Sequence, residues 1–356
     1  MSRMSSSFRI AMLVALACAT GFSGGCSWLD RARRTAPQKP VPAPEIAPPA
    51  DYGAMLESRR WSIPEGSRAA ALDPSGSWVA YVPWDRSQTV VARLDDGGVV
   101  AEVAAEPPYR APSSLAFTPA GNLLAIGGMG VVEVVRLPSA ESVHRFELEN
   151  PQRGRSAPAL AAGPQGRLLA ATAGSALYLF DLESGEQLRN LAVGEHGLQI
   201  VTFSPDGTWL ATYGSGQELR LWRIADLLAD GTPKSRTLDE GRAFSAIAFD
   251  PSGATLAAAD RENRVHLFDA AAGGERGGFE AGGSWIRALA FAPGGEQLIG
   301  GCGDGAVRVW NPNGGELIAH HALGESAVAV AITRGGNDLL VQVHRGDLIA
   351  LQPAPR

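Results

Sequence analysis

The sequence predicts an all-β fold, and three regularities support this prediction. A turn segment that ends in glycine returns seven times, and its central residues are Pro74, Pro119, Pro164, Pro205, Pro251, Pro293 and Arg334. Successive central residues are 45, 45, 41, 46, 42 and 41 positions apart. A short apolar segment ends 16 to 18 residues after each of them, at Ala92, Val135, Phe180, Trp222, Phe268, Trp310 and Leu351. Self-similarity at this period is typical of repeat architectures.

Each repeat contains four strand-like segments, which are clearest around Pro293. In order, the copy reads as a strand at 286–291, a Pro-Gly-Gly turn, a strand at 297–300, a Gly-Asp-Gly turn at 303–305, and strands at 306–310 and 316–319. Short β-prone runs separated by glycine and proline turns predict antiparallel strands. The repeats therefore account for the chain from about residue 55 onward.

The motifs of these repeats resemble those of the WD40 family. The match is strongest in Phe203-Ser204-Pro205-Asp206-Gly207 followed by Leu221-Trp222, and in Gly303-Asp304-Gly305 followed by Val309-Trp310-Asn311. The resemblance covers residues 55–356 and implies a seven-bladed β-propeller. Ala92 and Val135 replace the family's tryptophan, and no repeat has the family's Gly-His dipeptide. We therefore expect apolar packing to replace much of the family's buried Asp-His-Ser-Trp relay.

Closure of the ring requires a strand from the N-terminal side. The chain ends soon after Leu351, so the seventh repeat has three strands and no fourth. Trp61 lies 13 residues before Pro74, much as Phe279 lies 14 residues before Pro293. A propeller must satisfy the open edges of its first and last sheets. We expect the segment 55–63 to complete the last blade as its outermost strand.

The N-terminal residues predict export and lipid attachment. Arg3 and Arg9 precede an apolar run, residues 10–20, that is too short to span a membrane and is typical of a signal peptide. Residues 22–26 resemble a lipobox, which makes Cys26 the expected acylated N-terminus after removal of residues 1–25. Cys18 is a weaker alternative, and an exported protein without lipid is another. Ser27 after the cysteine resembles an outer-membrane address, which places the protein on the bacterial envelope facing the periplasm.

Residues 26–54 form a predicted tether rich in proline and alanine. Six prolines fall between residues 37 and 49. This composition favours an extended conformation, so about twenty residues at about 3.1 Å each would reach about 60 Å. The sequence thus predicts three parts: a signal peptide at 1–25, a tether at 26–54 and a propeller at 55–356.

The charge and cysteine content argue against nucleic-acid binding and against stabilisation by an internal disulfide. Removal of residues 1–25 takes away two arginines and no acid, which changes the net charge from −6 to −8. An acidic chain is an unexpected partner for nucleic acid. Only Cys26 and Cys302 remain, so no internal disulfide is expected if Cys26 carries lipid. We expect a monomer that is stabilised by packing.

No sequence motif predicts catalysis, a cofactor or a metal site. Residues 21–25 match the GxSxG pattern, but they lie in the signal peptide and not at a strand-to-helix turn. The adjacent His320 and His321 would point to opposite faces of a strand, which disfavours shared metal binding. Asp206, Asp250 and other turn acids fit local backbone hydrogen bonding. The prediction is a protein that is not an enzyme.

The expected binding surface is the rim of the channel, where the innermost strands begin. The residues four positions before the phenylalanine-equivalent position of each turn are Arg68, Ser113, Pro158, Gln199, Ser245, Arg287 and Val328, and Phe244 and Trp285 flank two of them. Tryptophan and arginine are enriched among interface hot spots. The candidate partner-binding residues are Arg68, Gln199, Phe244, Ser245, Trp285 and Arg287.

Three functions fit this reading. The first is an interaction scaffold for envelope proteins or peptides. The second is a propeller hydrolase of the lactonase type, which would need several acids at the rim, where the listed positions have none. The third is an assembly or transport accessory that resembles the propellers of periplasmic biopolymer-uptake systems.

Overall fold

The computed structural model describes residues 55–61, 67–84, 88–104, 112–148, 158–332, 338–344 and 347–353. The predicted signal peptide, Cys26, the tether and the turn at Arg334 lie outside these residues. Within them the chain forms seven antiparallel sheets of four strands, arranged in a ring. The predicted seven-bladed β-propeller is therefore confirmed.

The strands follow one another with the same order in every blade. The first is β1 (Met55–Trp61), which belongs to the last blade. Blade 1 contains β2 (Ser67–Leu72), β3 (Trp78–Pro83), β4 (Gln88–Arg93) and β5 (Val99–Ala104). Blade 2 contains β6 (Ser114–Phe117), β7 (Leu123–Gly128), β8 (Val131–Arg136) and β9 (Glu141–Glu147). Blade 3 contains β10 (Leu160–Ala162), β11 (Leu168–Ala173), β12 (Ala176–Asp181) and β13 (Gln187–Ala192).

The second half of the ring repeats the pattern. Blade 4 contains β14 (Leu198–Phe203), β15 (Trp209–Gly214), β16 (Glu218–Arg223) and β17 (Ser235–Glu240). Blade 5 contains β18 (Phe244–Phe249), β19 (Thr255–Asp260), β20 (Arg264–Asp269) and β21 (Glu275–Glu280). Blade 6 contains β22 (Ile286–Phe291), β23 (Leu298–Cys302), β24 (Ala306–Trp310) and β25 (Leu317–Ala322). Blade 7 contains β26 (Ala327–Ile332), β27 (Leu339–Val343), β28 (Leu348–Pro353) and β1.

One short helix, α1 (Ile224–Leu228), is the exception to this β pattern among the described residues. It lies between β16 and β17, where the repeat is longer than in its neighbours. Ile224 and Leu227 are buried against the core shared by blades 3 and 4. The sequence analysis did not predict it, because a five-residue helix is too short to show a helical period.

The turn glycines explain why the repeat is visible in the sequence. In the six described turns between first and second strands, the glycines have φ between 69° and 77°, at Gly76, Gly121, Gly166, Gly207, Gly253 and Gly295. Residues with a Cβ rarely adopt this left-handed conformation. In each of these turns the glycine N–H also donates to the carbonyl three residues earlier, at 2.8–3.0 Å. The recurrent glycine is therefore a requirement of the turn geometry.

Strand β1 closes the ring as predicted. It pairs antiparallel with β28, from Met55 opposite Pro353 to Trp61 opposite Leu348. Met55 is buried in the core shared by blades 6 and 7, and Trp61 packs on the cluster that joins blade 7 to blade 1. One strand thus contacts three successive blades.

Side chains from four outer strands hydrogen-bond to the next blade. They occupy the same position in the repeat, and we call them the clasp residues: Arg59, His144, Arg189 and Arg236. Their acceptors are carbonyl oxygens between the third and fourth strands of the following blade, on Leu94, Leu182, Leu227 and Ala270. The ring is therefore held together by polar contacts as well as by its shared apolar clusters.

Candidate partner-binding site

The upper face is defined here as the side of the ring where each first strand begins and where second strands turn into third strands. In five described first strands the pairing register skips one residue near this face, which is a β-bulge. The skipped residues are Arg68, Gln199, Ser245, Arg287 and Val328. We call them the bulge residues. Bulges re-aim side chains and are common beside functional sites.

Blades 2 and 3 differ from this pattern. No register shift is recorded in the described pairing of β6 with β7 or of β10 with β11. The corresponding residues, Ser113 and Pro158, precede their strands. The seven rim positions of the sequence analysis therefore all fall at the start of an innermost strand, and five of them lie outside the regular ladder.

Arg287 and Trp285 form the most distinctive contact on the upper face. The Arg287 guanidinium carbon lies 4.6 Å from the centroid of the Trp285 ring, within the range of a cation–π interaction. Both residues are partly exposed. A Cβ at Gly303 would lie only 2.2 Å from Nε1 of Trp285, so the glycine leaves the space that the indole occupies. The turn of blade 6 thus fixes the ring against which Arg287 stacks.

Arg287 is a charged group without a matching anion. Its Nε is buried and makes no hydrogen bond, and no carboxylate of the described residues forms an ion pair with it. Burial lowers the pKa of the Arg287 guanidinium below its usual value, because desolvation disfavours the charged form. A buried donor left unpaired costs about 1–3 kcal/mol. The structure therefore contains a partly exposed arginine that has no anionic partner among the described residues.

Three further unpaired polar atoms occur in the upper-face segments of blades 5 to 7. They are Oδ1 of Asn263, Oε2 of Glu325 and Oγ of Ser326, all buried and without a hydrogen-bond partner. Asn263 lies in the second-to-third strand turn of blade 5, and the other two immediately precede β26. Native proteins leave few such atoms unpaired, and each calls for an explanation. The remaining unpaired atoms among the described residues are Oε1 of Gln342 in blade 7, Oγ1 of Thr89 in blade 1 and Oγ of Ser114 in blade 2, so unmet hydrogen-bonding capacity occurs in the sector of Arg287 and also outside it.

Two of the predicted binding residues have structural contacts instead. Phe244 is 3% exposed and packs edge-on against Tyr213, His266 and Phe268. The Ser245 hydroxyl lies 2.6 Å from the Ile286 carbonyl oxygen of blade 6 and 3.1 Å from that of Ala259. Neither side chain is therefore included in the surface considered below.

The two remaining candidates lie away from this stack. Gln199 is partly exposed at the start of β14. Arg68 occupies the matching backbone position in β2, but its side chain lies outside the described part of the structure. The structure therefore brings together Trp285 and Arg287, and among the described side chains Gln199, Phe244 and Ser245 make no recorded contact with either of them.

A polar network centred on blade 5, which reaches Asp239 of blade 4, was missed by the sequence analysis. His266 is 3% exposed, and its Nε2 lies 2.8 Å from a carboxylate oxygen of Asp260 and its Nδ1 2.8 Å from one of Glu275. Arg242 continues the network by pairing with Glu275 at 2.7 Å and with Asp239 at 3.0 Å. The sequence offered a weak signal, because His266 alternates with apolar residues on a buried strand.

The network lowers the pKa values of Asp260 and Glu275. Burial alone raises the pKa of Asp260, but hydrogen bonds from His266 and from two backbone N–H groups outweigh burial and leave this pKa below its usual value. Burial likewise raises the pKa of Glu275, whereas hydrogen bonds from His266 and Arg242 bring it below the usual range. Both carboxyl groups are therefore held in the charged form as parts of the blade.

Blades 4 and 6 each retain a fragment of the expected polar relay. In blade 4 the Trp222 indole N–H donates to the Thr212 hydroxyl at 2.9 Å, with both side chains buried. In blade 6 Trp310 donates to the Ala281 carbonyl at 3.3 Å, and Arg308 pairs with Asp304 at 2.6 Å. Apolar packing surrounds these contacts, as the sequence led us to expect.

No group of three His, Cys, Asp or Glu side chains among the described residues is arranged to hold a metal ion. Within the same residues, no helix has the length and apolar character needed to cross a bilayer.

Comparison with known proteins supports a WD40-type propeller. The family model "WD domain, G-beta repeat" matches residues 188–223 and 277–311. Each matched segment begins in the outer strand of one blade and continues through the first three strands of the next. The sequence repeat is therefore offset from the blade by one strand, as the closure by β1 requires.

Three curated relatives are versions of coronin-7. The human and Pongo abelii proteins are each 32% identical to this chain over 113 residues, and the mouse protein is 30% identical over 112 residues. Each alignment covers 30% of this chain and 12% of coronin-7. The chain thus matches about an eighth of the length of these relatives.

Proposed function

We propose that this protein is a WD40-type interaction module that binds a protein partner on its upper face in the sector of blades 5 to 7. The observation that carries the proposal is the stack of Arg287 on Trp285, with the Arg287 Nε buried and unpaired. WD40 propellers generally mediate protein–protein interactions. Hot spots in such interfaces are enriched in tryptophan and arginine.

The architecture supports a binding role for this sector. The inner and middle strands of each blade are mostly buried, so the ring is a rigid support. The upper-face segments of this sector include Asn263, Trp285, Arg287, Glu325 and Ser326, all of which are partly exposed. Binding groups held on a rigid scaffold lose little conformational entropy when a partner arrives. A partner can therefore use these groups at low cost.

Site-specific cross-linking in cells tests the proposal. A photoreactive amino acid replaces exposed Glu262, in the upper-face turn of blade 5, and a matched control replaces exposed Ala254 on the lower face. The upper-face probe should label a protein that the lower-face probe does not, and Trp285→Ala or Arg287→Gln should reduce that label. Equal labelling from both faces, or labelling unaffected by both substitutions, would contradict the proposal.

We also propose that the protein is monomeric and is held on the bacterial envelope, at the outer membrane facing the periplasm, by lipid on Cys26. This proposal is supported by the apolar run at 10–20, the lipobox-like residues 22–26 and the proline-rich segment 26–54. Cys26→Ala should move the protein from the membrane fraction to the soluble envelope fraction, whereas Cys18→Ala should leave it on the membrane. Retention of Cys26→Ala on membranes would refute lipid attachment at this residue.

A further inference from the structure

The bulge residues carry a charge pattern that differs from that of the chain. The protein has a net charge of −6, yet no bulge residue is acidic and two of the five are arginines, Arg68 and Arg287. The positions corresponding to bulge residues in blades 2 and 3 are Ser113 and Pro158, which are also uncharged. The bulge positions therefore carry two positive charges and no negative charge in an acidic protein.

Comparison with other arginines shows how Arg287 differs. Arg220 pairs with Glu218 at 2.6 Å, Arg264 with Glu280 at 2.7 Å and Arg308 with Asp304 at 2.6 Å. Arg287 instead has an aromatic ring on one side and an unpaired buried Nε. Arginine presents several N–H donors in a planar fork that matches a carboxylate. The interaction that Arg287 lacks is therefore a hydrogen-bonded ion pair with a carboxylate.

Neighbouring groups favour a peptide over a free anion. Trp285 gives an aromatic surface beside the cation, which an inorganic anion would not use. Asn263, Glu325 and Ser326 belong to the same sector and are partly exposed, so it has polar side chains that suit a peptide backbone. A Cβ at Gly305 would lie about 3 Å from backbone atoms of Glu325, so the blade 6 turn is packed between Trp285 and Glu325. The blade 6 turn thus holds Trp285 and Glu325 on the same surface of the protein.

We propose that this sector binds an acidic peptide segment of the partner, with a carboxylate on Arg287 and an adjacent part of the peptide against Trp285. This inference rests on the proposed function and specifies the chemistry of the partner. The Arg287 guanidinium provides the charge, and the Gly303 turn positions the indole that orients it. The partner supplies the acceptor that the described part of the chain lacks.

Fluorescence anisotropy with the full chain tests this proposal. The probes are a labelled hexaglutamate peptide and, as controls, labelled hexaglutamine and hexalysine peptides. Hexaglutamate should bind most tightly, and Arg287→Gln should weaken it by about tenfold or more, as expected for loss of a hydrogen-bonded charge pair. Arg223→Gln is the matched control, because it removes the same charge from an exposed residue at the lower end of β16.

Two more variants separate charge from position. Arg287→Lys retains the charge but loses the planar fork, so it should bind hexaglutamate more weakly than the wild type does. Gly303→Ala removes no charge, but its Cβ would displace the Trp285 ring, so it too should weaken binding. Thermal melting of each variant shows that it is folded.

The outcomes are distinct from those of the cross-linking experiment. If hexaglutamate fails to bind, or if Arg287→Gln and Arg223→Gln weaken it equally, the acidic-peptide proposal is wrong. If the partner cross-links at Glu262 as strongly in Arg287→Gln as in the wild type, but more weakly in Trp285→Ala, the proposed function stands and the acidic-peptide inference is wrong. If hexaglutamate does not bind and the upper-face probe labels no specific partner, both the proposed function and the acidic-peptide inference are wrong.

Discussion

The hydrogen bond between Trp222 and Thr212 allows a quantitative test of how a blade without the full relay is stabilised. Thr212 is completely buried and Trp222 is 5% exposed, and the indole nitrogen lies 2.9 Å from the hydroxyl oxygen. Thr212→Val keeps the branched shape but leaves the indole N–H unpaired. An unpaired buried donor costs about 1–3 kcal/mol, so we expect the free energy of unfolding to fall by this amount.

A double-mutant cycle isolates the hydrogen bond from the packing. Trp222→Phe removes the donor together with part of the buried ring, so it destabilises the blade by creating a cavity. In this background Thr212→Val should cost much less, because no indole N–H remains to be satisfied. The coupling energy between the two positions should therefore be about 1–2 kcal/mol, within the range measured for contacting residues.

Thr89 provides a control of the same chemical type. Its side chain is completely buried, and its hydroxyl oxygen has no hydrogen-bond partner. Thr89→Val should therefore be neutral or stabilising, because it removes an unsatisfied polar group. Urea unfolding gives the free energies, provided that different probes report one transition with unchanged slope. If Thr212→Val costs no more than Thr89→Val, or costs the same in the Trp222→Phe background, our reasoning about this bond is wrong.

Three further predictions concern the ring and its polar contacts. Arg189→Ala should lower the free energy of unfolding by about 1 kcal/mol, because it removes hydrogen bonds to the next blade that are partly exposed; an unchanged urea midpoint would refute the clasp. Deletion of residues 55–61 should unfold or aggregate the protein, because it opens the edge of β28 and uncovers the core around Met55. A melting transition at the wild-type temperature would refute closure of the ring by β1. Below pH of about 5, the free energy of unfolding should fall as Asp260 and Glu275 become protonated, because groups with lowered pKa values stabilise the folded state only while they are charged. In a series of thermal melts at different pH values, Asp260→Asn should make the melting temperature less dependent on pH in this acid range.

The sequence predicted the architecture well because the determinants of the architecture are local. A turn such as 204–207 needs a glycine with positive φ, and this need recurs with every blade. The strand that pairs with β28 was found by counting from Trp61 to its turn, which is again a local measure. Short-range geometry of this kind leaves a periodic record that a single sequence displays.

The candidate site was less predictable because it depends on contacts between distant residues. Phe244 and Trp285 precede their bulge residues by one and two positions, yet Phe244 is buried against Tyr213 and Trp285 remains partly exposed. The network of Asp239, Arg242 and Glu275 joins two blades, and no spacing in the sequence indicates it. Sequence distance therefore gave the positions of the rim but not the environments of its side chains.

The bulge residues show why function is expected where the repeats differ. A bulge residue makes no regular ladder pair, so pairing does not restrict its identity. Ser245 and Arg287 occupy equivalent positions in adjacent blades, but Ser245 satisfies its hydroxyl on the Ile286 carbonyl, whereas Nε of Arg287 has no partner. The first is part of the contact between blades 5 and 6, whereas the second is partly exposed on the upper face and stacks on Trp285.

These two equivalent positions should respond in opposite ways to substitution. Ser245→Ala should lower the free energy of unfolding by about 1 kcal/mol, the usual net contribution of a hydrogen bond, and should leave the affinity for hexaglutamate unchanged. Arg287→Gln should reduce that affinity and leave stability unchanged or slightly increased, because it removes a partly desolvated charge. Urea unfolding and peptide anisotropy on both variants provide the comparison. If both substitutions destabilise the protein and neither alters peptide binding, Arg287 is another contact between blades, and the bulge position has the same structural role in both.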